Sequence, residues 1–484
     1  MRNRACKIIL VLLLIVTLLR YYFGVYEELS KTSLSLTLVT VLLATFVYFI
    51  GREEEYDNLK NNFFQISIIF VIGFIIVHFF EYLAFVTGEH LSIVDVDFID
   101  SSYVNGAAMV SCACLIAYYL GASYVNTPFS RQERLYTSNT FFLECVMLLS
   151  VIVFYFSAGE DYFEGGYGEA MNLTGVSLFT QISQTCIVGS AVACSAVVIY
   201  RNTPTDIKDY IHQFSIIYYI AILSYCFLVL KSGDRGPLIH CFICYLTPFF
   251  YVGKKKIKLF FAIILLCSGA LFMSLLGTVR AMDGSLNMEK MVEAQEFRNE
   301  RFADDNIIFS STSELSNVVR SYHVLYYFSE TNFIVYGAGF VNQILGIIPG
   351  LRYVLYPLLG IDDAEITTAH ISTILLQEDH GMGSTCVADT YFNFGAYGTI
   401  IIFLFVGVLF RKMDISAYSD LEKMSPFVVC ATICYLMYAI YIGRGYLFSP
   451  VNVLAYSWAL FMINDRIGSI MLSAQEANNQ EMLI

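Results

Sequence analysis

The sequence predicts an all-α, polytopic integral membrane protein with about twelve transmembrane helices. Two observations carry this. Of 484 residues, 57% are hydrophobic and 14% charged, against roughly 25% charged in average soluble proteins. Apolar runs of about the 20 residues needed to cross a bilayer recur along the chain. The formal charge of −13 has the wrong sign for binding a phosphate backbone, which excludes nucleic acid as a partner. The thirteen cysteines lie mostly inside apolar runs rather than paired in loops, which excludes a disulfide scaffold. Cys241 and Cys244 have metal-type spacing but no second ligand pair, so they read as small buried side chains, and no metal site is expected.

In chain order the expected spans are 8–26, 32–50, 63–87, 103–125, 140–158, 176–199, 213–230, 236–252, 258–279, 390–410, 426–442 and 446–463. The eighth is the shortest. Arg2, Arg4 and Lys7 precede the first span as in a signal peptide. That run is too long for one, and no small-residue cleavage site follows, so it reads as retained. The chain divides into spans one to nine (1–279), one large extracytoplasmic segment (280–389), and spans ten to twelve with a cytoplasmic tail (390–484).

Lys and Arg orient the spans. With the N-terminus cytoplasmic, 17 of the 28 lysines and arginines fall in inside segments. The short outside turns hold only Lys31, Lys231, Arg235 and Arg444, and Arg20 lies near the outer end of the first span. An even number of spans places both termini inside. The outside loops 88–102 and 159–175 are acidic and free of Lys and Arg, as solvated outer loops are expected to be.

Within 280–389, Asn287–Arg301 and Glu314–Ser329 read as helical. Tyr336–Gly350 is apolar, interrupted by glycine and ended by Pro349–Gly350, so it reads as an interfacial or re-entrant piece at the outer leaflet. Asp362, Asp363 and Glu365 read as a solvated acidic loop rather than a cation site. No Walker loop, Rossmann glycine pattern or nucleophile elbow occurs. His78 and Glu81, spaced i, i+3, are expected to pair inside the third span, with Glu144 a second acid near the fifth. These groups are the residue-level support for a rival reading, a proton-coupled transporter or flippase.

The rare outside cations are the most informative residues. Lys231-Ser-Gly-Asp-Arg235-Gly-Pro237 reads as a tight turn, with Pro237 suited to the first turn of the next helix. Arg280 ends the ninth span, and Gly443-Arg444-Gly445 is another tight turn. Arginines placed against the positive-inside bias at the outer face suit an anionic ligand such as a diphosphate.

Ser232–Ile239 resembles the Arg-Gly turn of the O-antigen polysaccharide polymerases, the Wzy family. Gly381–Gly395 is similar to that family's glycine-rich entry to an aromatic Asn-Phe-Gly helix start, and Gly337–Pro349 to its loop sequence. The Arg-x10-Gly pattern of many members is missing after Arg280, Arg320 and Arg352, so no role follows from it. The resemblance implies a bacterial cytoplasmic-membrane glycosyltransferase. It would polymerise oligosaccharide repeat units carried on undecaprenyl diphosphate, at the outer face, with lipid diphosphate as leaving group. The implied partners are undecaprenyl-diphosphate-linked glycans, membrane lipids, and a chain-length regulator and flippase of the same pathway. The donor is already activated, so no cofactor, nucleotide or metal is implied. A ligase transferring glycan to a lipid core is the alternative within this chemistry. Such a transfer needs cations at the departing diphosphate, for which Arg235, Arg280, Arg444 and Lys231 are the candidates. It also needs a base for the acceptor hydroxyl, for which Asp389, His370 and His380 are the candidates.

Overall fold

A computed structural model of the chain describes residues 2–24, 29–52, 57–88, 102–132, 136, 139–163, 174–203, 206–232, 234, 236–264, 269, 315–332, 334–348, 350–360, 366–378 and 381–481. All regular structure among them is helical. The long helices are α1 (Arg2–Phe23), α2 (Lys31–Gly51), α3 (Ile66–Thr87), α4 (Ser102–Ser123), α5 (Phe141–Phe163) and α6 (Thr174–Arg201). After the short α7 (Ile207–Ile211) come α8 (Ile216–Ser232) and α9 (Gly236–Val252). Next come α10 (Val319–Thr331), α11 (Ala338–Leu345), α12 (Leu351–Leu359) and α13 (Thr368–Leu376). The chain closes with α14 (Cys386–Tyr418), α15 (Pro426–Tyr438) and α16 (Val451–Glu481).

Among the described residues, seven helices (α1 to α6 and α14) are long and apolar enough to cross a membrane; α8, α9 and α15 are apolar but shorter. The expected helix Asn287–Arg301 and most of the ninth span lie outside the described residues.

Close approach is built into the centre. α4 and α14 run side by side, and a Cβ added at Gly121 would meet the Leu404 carbonyl oxygen at 1.9 Å. One added at Gly407 would meet the Tyr118 carbonyl oxygen at 2.1 Å. Small residues at a helix crossing let the backbones touch, the packing mode that serves where lipid removes the hydrophobic drive for association.

The loops carrying the expected inner cations meet at one end of the bundle. Phe63 N donates to Ile257 O (2.9 Å) and Gln132 N to Lys423 O (2.7 Å). Lys254 Nζ donates to Ser419 O (3.1 Å), and Arg131 pairs with Asp420. Asp414, near the end of α14, caps α3: its carboxylate accepts Ile66 N at 2.7 Å and Ser67 N at 3.1 Å. A carboxylate satisfies two of the free N–H groups of a helix start and suits its positive dipole end.

Candidate functional site

The opposite end gathers α10, α11, α13 and the first turns of α14. Thr385 caps α14, its hydroxyl accepting Ala388 N at 3.0 Å. That cap sets Asp389 in the first turn, buried at 1% exposure. Its carboxylate accepts the Gln343 side-chain amide at 2.9 Å and the Thr368 hydroxyl at 3.4 Å. One turn on, Asn393 Nδ2 donates to the Asp389 carbonyl (2.8 Å) and Asn393 Oδ1 accepts Gly339 N (2.9 Å). Asp389 is thus tied to α11 and α13, with no ion pair to it among the described residues.

α11 and α12 form a short helical hairpin, and α11 lies within the expected Tyr336–Gly350 piece. Gly337 (φ 89°) and Gly350 (φ 79°) start the two helices in the left-handed region, where glycine carries no Cβ penalty. The hairpin keeps its polar groups inward. Asn342 Oδ1 accepts Arg352 (3.3 Å) and the Tyr356 hydroxyl, and Asn342 Nδ2 donates to Thr367 (3.2 Å). Gln343 Oε1 is buried with no hydrogen-bond partner. The network Arg352–Asn342–Thr367 thus lies one residue along α11 from Gln343–Asp389–Thr368.

The two cation-bearing turns are brought towards each other. His240, in the first turns of α9, stacks on Tyr438 at the end of α15 (centroids 3.9 Å) and lies 6.2 Å from Tyr441. Ser232 and Asp234 shape the turn before α9, with Asp234 Oδ1 accepting Gly236 N at 3.3 Å. Pro237 lies in the first turn, as expected from the sequence. Lys231 is exposed at the end of α8. Arg235, Arg280 and His380 lie outside the described residues.

Arg444 is deeper than the sequence implies. The expected eleventh span, 426–442, is helical only over Pro426–Tyr438, about 20 Å of rise, short of the roughly 30 Å hydrocarbon core. The chain then turns inside the bundle. A Cβ on Gly73, seven residues into α3, would lie 2.3 Å from Ile440 O, and one on Gly443 would lie 3.2 Å from Gly73 O. The turn that carries Arg444, itself half-buried, therefore packs against the first half of α3. Phe340 of α11 touches Phe394 (5.0 Å between ring centroids) and Phe448 (4.9 Å).

His370 is exposed on α13. It is two residues from Thr368, hence about 200° around the helix and turned away from Asp389. Two further groups lie close by. Tyr21, Tyr326 and Tyr391 join their hydroxyls at 3.1 and 3.2 Å, and Tyr391 donates to the exposed Glu330. His323 bonds the Tyr82 hydroxyl at 2.7 Å. Burial, then the neighbouring Arg320 charge, pushes His323 down to about 3. Sequence reading missed the tyrosine group, for which the only signal was tyrosine recurring near expected helix ends.

The intramembrane pair expected between His78 and Glu81 does not form. Glu81 accepts from Ser316, while His78 faces Ser111 (3.4 Å) and Cys386 (4.0 Å). Glu144 accepts Ser215 N (3.3 Å) and the Ser215 hydroxyl just before α8. It acts as a cap at the other end of the bundle from Glu81. The acids that motivated a transporter reading thus have separate structural partners.

Fold and site together define a multi-pass membrane protein with its buried polar networks and cation-bearing turns drawn towards one end. The model of the O-antigen polysaccharide polymerase Wzy family matches residues 6–474, nearly the whole chain. The chain belongs to that family, whose activity is O-antigen polymerisation by glycosyl transfer. No curated protein and no solved structure matches the chain.

Proposed function

We propose that the protein extends glycan by transferring a chain from undecaprenyl diphosphate to the repeat unit on a second carrier. The transfer takes place at the outer face of a bacterial cytoplasmic membrane. The observation that supports this reading best is the stacking of His240 on Tyr438, which couples the turn before α9 to the turn before α16. Arg235 and Arg444, on these turns, would face one diphosphate together with Arg280, with Lys231 adding charge at the mouth. Cations placed where the leaving group gains charge lower the barrier without cofactor, nucleotide or metal.

In this reading Asp389 is the base for the acceptor hydroxyl. Its carboxylate is already placed by two hydrogen-bond donors, and the unpartnered Gln343 Oε1 offers a further acceptor on the residue it touches. A sugar hydroxyl would take the place of the Thr368 or Gln343 donor. His380 is the next candidate and the exposed His370 the last. The glycan, a chain-length regulator and a flippase would meet the protein at this same face.

Purified protein given lipid-linked repeat units should lengthen glycan without added nucleotide or divalent cation. Arg235→Lys and Arg280→Lys keep the charge but lose the bidentate fork. Each should lower the rate by roughly 10²–10³, by analogy with losing one oxyanion donor. Normal long polymer from both would sink the diphosphate assignment, and full activity of Asp389→Asn would remove Asp389 as base. Transfer only to a lipid-core acceptor would make the enzyme a ligase. Movement of lipid-linked units across a vesicle bilayer without lengthening would make it a flippase.

A further inference from the structure

The α11–α12 hairpin has two unlike faces. Inward lie Gly339, whose N–H donates to Asn393 of the bundle, and Asn342, which accepts the Tyr356 hydroxyl. Outward lie Val341, Ile344, Ile348, Val354 and Leu358, each more than half exposed. Short helices with an exposed apolar stripe and a polar inner face lie in the plane of a membrane interface. The hairpin therefore sits in the outer leaflet, with its edge against the outer half of α6 and the start of α16.

Along that edge runs a shallow cleft, partly open to its surroundings. Its lining is mixed. Leu178 and Ile182 of α6 and Ile347 and Ile348 of the hairpin supply apolar wall, while Gln181, Thr185, Asn452 and Arg352 are polar. Arg352 is half-buried and uses one nitrogen on Asn342 Oδ1 at 3.3 Å. Among the described residues no carboxylate pairs with it. A guanidinium carries five donors in a planar fork that matches phosphate. A half-buried cation with no carboxylate against it among the described residues suits an anion.

We infer that this cleft is a lipid-phosphate site: Arg352 holds the phosphate of a membrane lipid whose chains lie along the apolar stripe of the hairpin. Free phosphate is the poorer fit, because the apolar wall runs on into the exposed stripe and would gain nothing from it. Gln181, Thr185 and Asn452 supply hydrogen bonds to headgroup oxygens from the other walls. The site is independent of the roles proposed for Arg235, Arg280 and Arg444. It stands or falls on lipid binding rather than on polymer formation.

The test uses the full chain, purified and delipidated in detergent. Native mass spectrometry then counts retained phosphatidylglycerol, undecaprenyl phosphate, diacylglycerol and inorganic phosphate, each added separately. Wild-type protein should retain at least one of the two phosphate lipids, and neither diacylglycerol nor inorganic phosphate. Arg352→Gln should weaken that retention by about tenfold or more, the scale of one charge-assisted contact. Gln181→Trp fills the cleft from α6 without touching Arg352 or its Asn342 bond, and should weaken it as well. Thermal unfolding of both variants checks that the fold survives. Preference for undecaprenyl phosphate would make the cleft a berth for the glycan carrier, and preference for phosphatidylglycerol a berth for a bilayer lipid; either supports the site. Equal retention of diacylglycerol, binding of inorganic phosphate alone, or unchanged retention in both variants would overturn it.

Discussion

The two ends of the bundle are held in different ways. At the cation-rich end, most joins between distant loops run from a side chain to a backbone group: Asn62 to Ile257, Lys254 to Ser419, Tyr200 to Met424, Tyr418 to Phe64, and Asp414 to the start of a helix 348 residues earlier. At the opposite end the joining is done largely from side chain to side chain: Asp389 with Gln343 and Thr368, Asn342 with Arg352, three tyrosine hydroxyls, and His323 with Tyr82. Bonds that end on backbone groups leave little that a ligand can displace. Side-chain networks with buried spare atoms, such as Gln343 Oε1, Glu81 Oε2 and His323 Nδ1, hold polar groups that a substrate can engage. We read one end as an anchor and, under the proposed function, the other as the site.

The sharpest way to break this contrast is at the anchor. Asp414→Ala removes the α3 cap and leaves the nearby Arg52 and Arg411 charges without it. The expected loss is about 3–5 kcal/mol, the scale of removing one partner from a buried charged group. It should show as a collapse of folded protein in membranes. Near-normal levels and thermal stability would mean that the anchor does not depend on that carboxylate.

Asn393→Ala should cost less, about 1–3 kcal/mol, because it leaves the buried Gly339 N–H without its acceptor. Its effect on activity should exceed that of an equally destabilising change at the cation-rich end, since it loosens α11 beside Asp389. Equal activity losses at equal stability would erase the distinction between anchor and site.

Acid should act on the site end through His323. The folded chain holds it neutral down to about 3, whereas an unfolded histidine protonates near 6.5. The unfolded state then binds more protons between those values. The His323 contribution to stability is therefore complete above about pH 6.5 and is lost as pH falls towards 3. Between pH 6.5 and 5.5 the loss is at most about 1.4 kcal/mol. Thermal midpoints of wild type and His323→Gln should converge as the buffer is made more acid; parallel curves would clear His323 of this role.

The smallest effect is expected at His370. Exposed and turned from Asp389, it should change stability by less than about 0.5 kcal/mol on replacement by alanine. Polymer length should hardly respond. A large loss of polymer would move the base assignment from Asp389 to the outer face of α13.

Much of this organisation was legible in the chain. Long apolar runs marked the helices, and glycines marked the breaks on either side of α11. Asp389 stood out as an acid at a helix start. Other features were not legible, for identifiable reasons. The run 426–442 reads as one span because hydropathy averages over a window and does not register that the helix stops at Tyr438. His78 and Glu81 read as a pair because spacing shows which partners are in reach, not which competing partner is nearer. Here Ser316 takes Glu81, and Ser111 and Cys386 flank His78.

By itself the sequence determined the solvent for each segment, since burial of apolar residues in lipid and exclusion of charge from it are local properties of composition. It also determined which residues had the chemistry for a diphosphate and for a base. Only the tertiary structure decided which of them meet. Asp389 and Gln343 are 46 residues apart, Asp414 and Ile66 are 348 apart, and Arg444 is drawn inward because Gly73 and Gly443 let two backbones touch. Such contacts depend on helix crossing and depth, which are set by close packing between segments rather than by the residues of either segment alone.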